Sequence, residues 1–243
     1  MRRPLLLATA FLALAAAPAI AQDAAPKKAK GGAPSLLAPD ALRPEWLLPP
    51  PPADDSALGK AELAEIRQIA GQASPQLKAA AEKDGDTENV TFYADTIPDF
   101  DVAKLPATRK LFDEVANEDA LQTKVFKTYF ARKRPYQVDA TIPTCHSESG
   151  SKKPASYPSG HTTLGFSDGV ILAQLFPDKA QAILARAKLY AEHRMVCGVH
   201  YRSDTVGGQA LGTAIALKLM EVASFRADYA AAKAELVQAG LTK

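Results

Sequence analysis

The sequence is short of cysteine, tryptophan and histidine, with two, one and four residues respectively in 243. Those few His and Cys side chains have no spacing that resembles a zinc site. Aromatic residues make up only 7% of the chain, and no segment alternates convincingly between apolar and polar at period two, which argues against a sheet. There is no Gly-x-Ser-x-Gly elbow and no Walker loop, so neither a serine hydrolase of that type nor a P-loop nucleotide site is expected. A large charge of either sign is missing too: 29 basic residues face 27 acidic ones. Past the first residues no apolar run is long enough to cross a bilayer.

The N-terminus has its own pattern. Arg2 and Arg3 precede an apolar run from Leu5 to Ala17, Pro18 breaks it, and Ala19-Ile20-Ala21 is a small-x-small cleavage site. This reads as a signal peptide over 1–21, cut after Ala21, and it directs the chain to the periplasm or the exterior. Its removal takes two arginines and no acid, leaving a mature chain with no net charge. A surface of that kind does not favour nucleic acid as a partner. Residues 22–45, rich in Ala, Lys, Pro and Gly, read as a flexible leader. Pro49 to Pro52 follow Leu47-Leu48 as a polyproline II segment, either a spacer or a wrap on the domain.

Over 46–243 the pattern is helical and predicts one all-α domain, a helical bundle. Ser56 is an expected cap for a helix with Leu58, Leu63, Ile66 and Ile69 on one face. A second helical stretch lies between Pro75 and Gly85. A long helix is expected from about Ala107 to Arg134, ended by Pro135. A loop over 136–157 follows. Helices then begin at Ser159, at Pro177 or Asp178, and at Ser203, and the last runs from Phe225 to Gly240. Cys145 and Cys197, an even pair in an exported chain, are expected to form a disulfide.

Three clusters carry chemistry. Lys127 and Arg134, seven residues apart on the expected helix, would project from one face about 10 Å apart and could hold a phosphate between them. With Arg132 and Lys133 beside them, the same residues also read as a solvated basic face. Pro158-Ser159-Gly160-His161 sets free backbone N–H groups at the positive end of a helix, with His161 in the first turn as a proton donor. In the third cluster Arg194 and His200 are separated by a break at Gly198, which lets both reach one pocket. Asp204 follows, able to hold one ring nitrogen of His200 and leave the other free to attack.

Taken in order, Lys-x6-Arg-Pro, Pro-Ser-Gly-His and Arg-x5-His-x3-Asp resemble the signature of the type 2 phosphatidic acid phosphatase superfamily, which includes the vanadium haloperoxidases. Leu47-Leu48 with its prolines, Thr144-Cys145 and Arg194-Met-Val-Cys-Gly resemble its soluble bacterial branch, the class A non-specific acid phosphatases. The resemblance implies that Lys127, Arg134 and Arg194 hold phosphoryl oxygens, with Ser159 and the Gly160 backbone adding hydrogen bonds. It implies that His200 attacks phosphorus, that His161 protonates the leaving alcohol and then helps activate water, and that Asp204 orients His200. It implies small phosphate monoesters as substrates, no metal and no cofactor; a homo-oligomer stays open. His193 departs from the pattern, which has Ser there, and it is expected to face away from the site. His146 reads as a surface residue or an entrance one. The rivals are a vanadate-dependent peroxidase, a lipid phosphatase and a non-catalytic phosphate-binding protein.

Overall fold

The computed structural model describes residues 34–146 and 154–243. The expected signal sequence, and the leader up to residue 33, lie outside the described residues. What is described is helical, with no strand among these residues: α1 (Pro44–Leu47), α2 (Ala57–Gln72), α3 (Pro75–Gly85), α4 (Pro106–Phe130), α5 (Pro135–Val138), α6 (Gly160–Leu175), α7 (Ala180–Val196), α8 (Arg202–Leu219) and α9 (Ala223–Gln238).

Helix α6 is the centre. From Thr162 to Gly169 every residue is buried, and α4, α7 and α8 pack around it. Two glycines allow the tightest of these contacts. A Cβ on Gly212 of α8 would stand 2.2 Å from the Thr163 carbonyl oxygen, and one on Gly208 would stand 2.7 Å from that of Ser159. Only glycine lets the backbones approach so closely. The consequence reaches the site, because the N-termini of α6 and α8 meet there and the Ser159 amide donates to the Asp204 carbonyl at 3.0 Å.

The helix starts follow from their caps. Ser56 and Ser74 accept from Gly59 N and Leu77 N at the heads of α2 and α3, and Ser159 caps α6. Several expectations need correction. The buried face of α2 is Gly59, Glu62, Ile66 and Ala70, whereas Leu58 is exposed. Helix α4 ends at Phe130, four residues short of Arg134, because Ala131 takes a left-handed conformation with φ 49° and turns the chain. Lys127 and Arg134 therefore do not share a helical face, and Arg134 is the residue that precedes α5. Helix α8 starts at Arg202, and Ser203 is within its first turn rather than at its cap. The packed chain also begins before residue 46. Leu37 and Leu42 are buried, and Ser35 Oγ and Leu36 N donate to the fully buried Glu118 at 2.9 and 3.0 Å.

The expected disulfide is present between Cys145 and Cys197, 52 residues apart. By chain entropy, closing such a loop stabilises by about 4 kcal/mol. It ties the segment before the second cluster to the break at Gly198, where φ is +67°.

The head of α4 has no capping side chain of its own. Glu235 of α9 substitutes, accepting from Ala107 N at 3.0 Å, Thr108 N at 2.8 Å and Thr108 Oγ1 at 2.8 Å. Partial burial pushes its carboxyl up, and these hydrogen bonds bring it below the usual value. Glu235→Ala should lose about 1 kcal/mol, or roughly 2–4 °C in Tm at neutral pH. A depressed carboxylate stabilises above its unfolded pKa, so the difference should vanish as the pH falls through the carboxylate range. Calorimetry at pH 7 and pH 3 checks both.

Candidate active site

Between α4, the turn after it and the N-terminus of α6 lies a cavity of about 550 Å³, lined by Lys127, Arg134, Gly160, His161 and His200. All three sequence clusters reach it, although α4 stops early. The Ala131 turn brings the chain back so that Arg134 faces Lys127 across the cavity, with Arg134 Nη1 3.3 Å from the Val199 carbonyl. Lys127 Nζ donates to the Ala155 carbonyl at 2.8 Å. Burial, with Arg134 adding repulsion, brings the Lys127 pKa down to about 8.

His200 is 1% exposed, and its Nδ1 lies 3.2 Å from Asp204 Oδ2. A carboxylate accepts only, so Nδ1 carries the hydrogen and Nε2 keeps its lone pair. Nε2 is on the opposite side of the ring from Asp204, and the ring lines the cavity. Burial holds the His200 pKa well below the usual imidazole value, helped by Arg134, Lys127 and Arg194. Asp204 has no exposure. Burial raises its pKa, against the pull of Arg132, Ser156 and the Tyr201 amide. Oδ2 accepts from Ser156 Oγ at 2.5 Å and Tyr201 N at 2.9 Å, and Oδ1 accepts from Arg132 Nη1 at 2.8 Å.

His161 donates from Nε2 to the Gly85 carbonyl at 2.9 Å, which fixes its tautomer, and Glu88 Oε1 stands 3.3 Å from the same nitrogen. Burial is the main reason its pKa falls to about 3, and repulsion from Arg194 comes next. Arg194 is buried beside that same peptide: a Cβ on Gly85 would stand 2.6 Å from its Nη1. Arg194 and Ser159 are not in the cavity wall. The Ser159 hydroxyl is fully buried, accepting from Thr162 Oγ1 at 3.0 Å and capping the helix. The Gly160 backbone does reach the wall. His193 turns away, as expected, to a separate cavity of about 350 Å³. His146 is on the surface, 3.2 Å from Asp86 and 3.5 Å from Glu82.

Residues 115–228 match the PAP2 superfamily. This stretch is a PAP2 superfamily domain. An acid phosphatase of Zymomonas mobilis is 38% identical over 57% of this chain and 53% of its own length, so the match spans about half of that relative. A non-specific acid phosphatase of Salmonella typhimurium is 28% identical over 81% of each chain. Among solved structures, a transmembrane PAP2 type phosphatidylglycerolphosphate phosphatase from Bacillus subtilis superposes with a TM-score of 0.51 at 21% identity, over 69% of this chain and 87% of that one. At that identity the superposition supports the fold alone. No described helix is long and apolar enough to cross a membrane.

The PAP2 domain contains two groups that sequence reasoning did not single out. Asp119 and Thr123 of α4 line the cavity beyond Lys127, and neither Asp119 Oδ1 nor Thr123 Oγ1 has a hydrogen-bond partner among the described residues. Arg132, expected on a solvated basic face, is instead 5% exposed, with Nη2 2.9 Å from Glu62 Oε2 and its guanidinium 3.8 Å over the Tyr201 ring. One signal was readable: Glu62 shares its helix face with Ile66 and Ala70, which marks a buried acid in need of a cation. Arg132→Ala would leave Glu62 and Asp204 buried without their cation, and should cost about 3–5 kcal/mol in urea melts. The neighbouring exposed Lys133→Ala should stay within about 0.5 kcal/mol.

Proposed function

We propose that this protein is an exported acid phosphatase that hydrolyses small phosphate monoesters through His200, with no metal. The observation that carries the reading is the pairing of His200 Nδ1 with Asp204 while the same ring borders a cavity walled by Lys127 and Arg134. A lone pair kept unprotonated, beside cations placed for an anion, suits attack on phosphorus. The acid phosphatase names of the Zymomonas and Salmonella relatives support the activity. The signal-like N-terminus and the disulfide support export.

In the proposed reaction the ester phosphate sits between Lys127 and Arg134; Arg194, outside the wall but near enough to act on His161 and His200, adds to its positive surroundings, as do the Gly160 backbone and the α6 N-terminus. His200 Nε2 forms a bond to phosphorus while the ester P–O bond breaks, and the leaving oxygen takes a proton from His161. Water then attacks the phosphohistidine, giving its proton back to His161, and the N–P bond breaks to release inorganic phosphate and the free His200. The side chains supply the charge neutralisation that a metal would otherwise give. In the protein alone His161 is neutral, with a pKa of about 3. A bound phosphate dianion offsets the repulsion from Arg194, Lys127 and Arg134, so substrate binding itself raises that pKa toward the working range.

The rest of the cavity suggests what the phosphate is attached to. Asp119, Thr123 and Glu88 put polar groups in a wall that also carries Ala116, Ala120 and Leu164. Those polar groups suit a leaving group that carries hydroxyls. Turnover over sugar phosphates, nucleotides and a lipid phosphate dispersed in detergent tests this, and a preference for the lipid would overturn it.

Wild-type protein should hydrolyse p-nitrophenyl phosphate in excess chelator, and His200→Ala should lose about 10³-fold or more in kcat. Acid-labile, alkali-stable phosphate should be trapped on wild type by rapid quench and be absent from His200→Ala. Activity lost to chelator and restored by a metal would overturn the metal-free route. By NMR, the His161 ring should titrate near pH 3 in the free protein and at a higher pH with inorganic phosphate bound. A titration that phosphate does not move would remove His161 as the acid.

A further inference from the structure

The PAP2 match begins at residue 115, yet the acceptor that fixes His161 belongs to Gly85, at the end of α3. Something must hold that peptide in place, and the adjoining residue does so. Asp84 is 5% exposed, and α7 encloses its carboxylate. Arg186 donates to it through both terminal nitrogens, Nη1 to Oδ2 at 2.9 Å and Nη2 to Oδ1 at 2.6 Å. His193 Nδ1 donates to Oδ2 at 2.7 Å. Arg186 and His193 are seven residues apart, close to two turns, and so reach from one face of α7. Between them on that helix, Tyr190 donates to the Thr87 carbonyl at 2.6 Å. Burial pushes the Asp84 carboxyl up, and the bonds from His193 and Arg186 outweigh it, leaving its pKa lowered. The group is therefore an ionised carboxylate in a bidentate clamp, the strongest type of side-chain hydrogen bonding.

We propose that Asp84, clamped by Arg186 and His193, is a positioning residue for phosphoryl transfer: it sets the Gly85 peptide, which orients His161 and bears on Arg194. The next residue on α7 after His193 is Arg194, so the clamp and the cation packed against Gly85 come from adjacent positions on one rigid helix. The Gly85 peptide is in contact with both His161 and Arg194. Its carbonyl takes the His161 Nε2 hydrogen, and its missing side chain is the space that Arg194 Nη1 occupies. His193 replaces the serine of the resembling family with a longer donor, and here it is this donor that reaches Asp84. Displacement of a catalytic group by about 1 Å can cost 10²-fold in rate.

The kinetic readout rests on the phosphatase reading; the binding readout does not. Gly85→Ala is the direct test, because it leaves Asp84 and its partners in place. Its added Cβ meets Arg194, so kcat on p-nitrophenyl phosphate should fall about 10-fold or more and the Kd for inorganic phosphate by calorimetry should rise severalfold, with Tm within a degree or two of wild type. Asp84→Ala should lower kcat about 10–100-fold when assayed well below its own Tm. In a His161→Ala background the same change should cost far less, since the group it positions is gone. His193→Ala should lose activity, and His193→Asn should recover most of it, because an amide nitrogen can stand where Nδ1 donates. Glu235→Ala, which destabilises far from the cavity, should leave kcat and phosphate affinity unchanged. Active wild type with Gly85→Ala and His193→Ala both within twofold in kcat and phosphate Kd would overturn the proposal. Phosphate binding without turnover, weakened by Gly85→Ala, would keep the clamp and remove the enzyme reading. Wild type that neither binds phosphate nor turns over ester would overturn both.

Discussion

The carboxylate of Asp204 is the point on which the site depends. One side chain with no exposure accepts from the loop before α6 through Ser156, from the turn after α4 through Arg132, from the head of its own helix through the Tyr201 amide, and from His200. Each bond ties a different stretch of chain to the same few ångströms. A buried carboxylate without such partners would neutralise itself. Ser156, Arg132 and the Tyr201 amide pull against that tendency, so their correct folding is a condition for orienting the ring of His200. The requirement also runs outward. Arg132 is held by Glu62 of α2, so a helix outside the matched PAP2 region contributes to the electrostatics of its central acid.

The close approach of α6 and α8 belongs to the same arrangement. Gly208 and Gly212 bring the two backbones together until the amide of Ser159 meets the carbonyl of Asp204. Two helix N-termini thereby converge beside the cavity, one contributing His161 and the Gly160 backbone, the other the orienting acid. Side chains of ordinary size at either glycine would separate these ends, and the geometry at His200 would loosen even though no residue touching the cavity had changed.

The all-helical architecture was legible because its signals are local: Ser56 and Ser159 as caps, Pro75 at the edge of a helical stretch, Gly198 at a break. The three clusters that reach the cavity were legible for a similar reason, since the phosphate chemistry proposed for them restricts the residue types that can serve. What sequence could not show was non-local. Nothing near Ala131 announces a left-handed turn, so the helix was expected to run on to Arg134. Of the adjacent basic residues 132, 133 and 134, one is buried, one is exposed and one lines the cavity. That sorting is decided by Glu62 and Asp204, about seventy positions away on either side. Ser203 reads as a cap by type, but Asp204 reaches back to the Tyr201 amide and starts the helix earlier. Asp84 is a plain helix-end acid until Arg186 and His193 come to meet it.

The charges of the cavity also explain why two histidines in one field can do opposite things. Burial, with Lys127, Arg134 and Arg194 repelling one another and any proton brought near them, leaves the site short of protons: the lysine falls to about 8 and His161 to about 3. For His200 in its proposed role as nucleophile the shortage is useful at all times, because attack needs the lone pair, and the bond from Nδ1 to Asp204 directs the hydrogen away from the cavity. For His161 it is useful only until a ligand arrives. Its Nε2 donates to the neutral Gly85 carbonyl, which sets the tautomer, and the Glu88 carboxylate 3.3 Å from the same nitrogen is largely exposed and screened by solvent, so the ring remains responsive to an incoming dianion. A buried carboxylate in place of the Gly85 carbonyl would hold the proton permanently, and a purely apolar wall would leave the ring free to turn. A peptide oxygen held by a clamp avoids both, and this is the physical reason that a residue as plain as Gly85 matters to the chemistry.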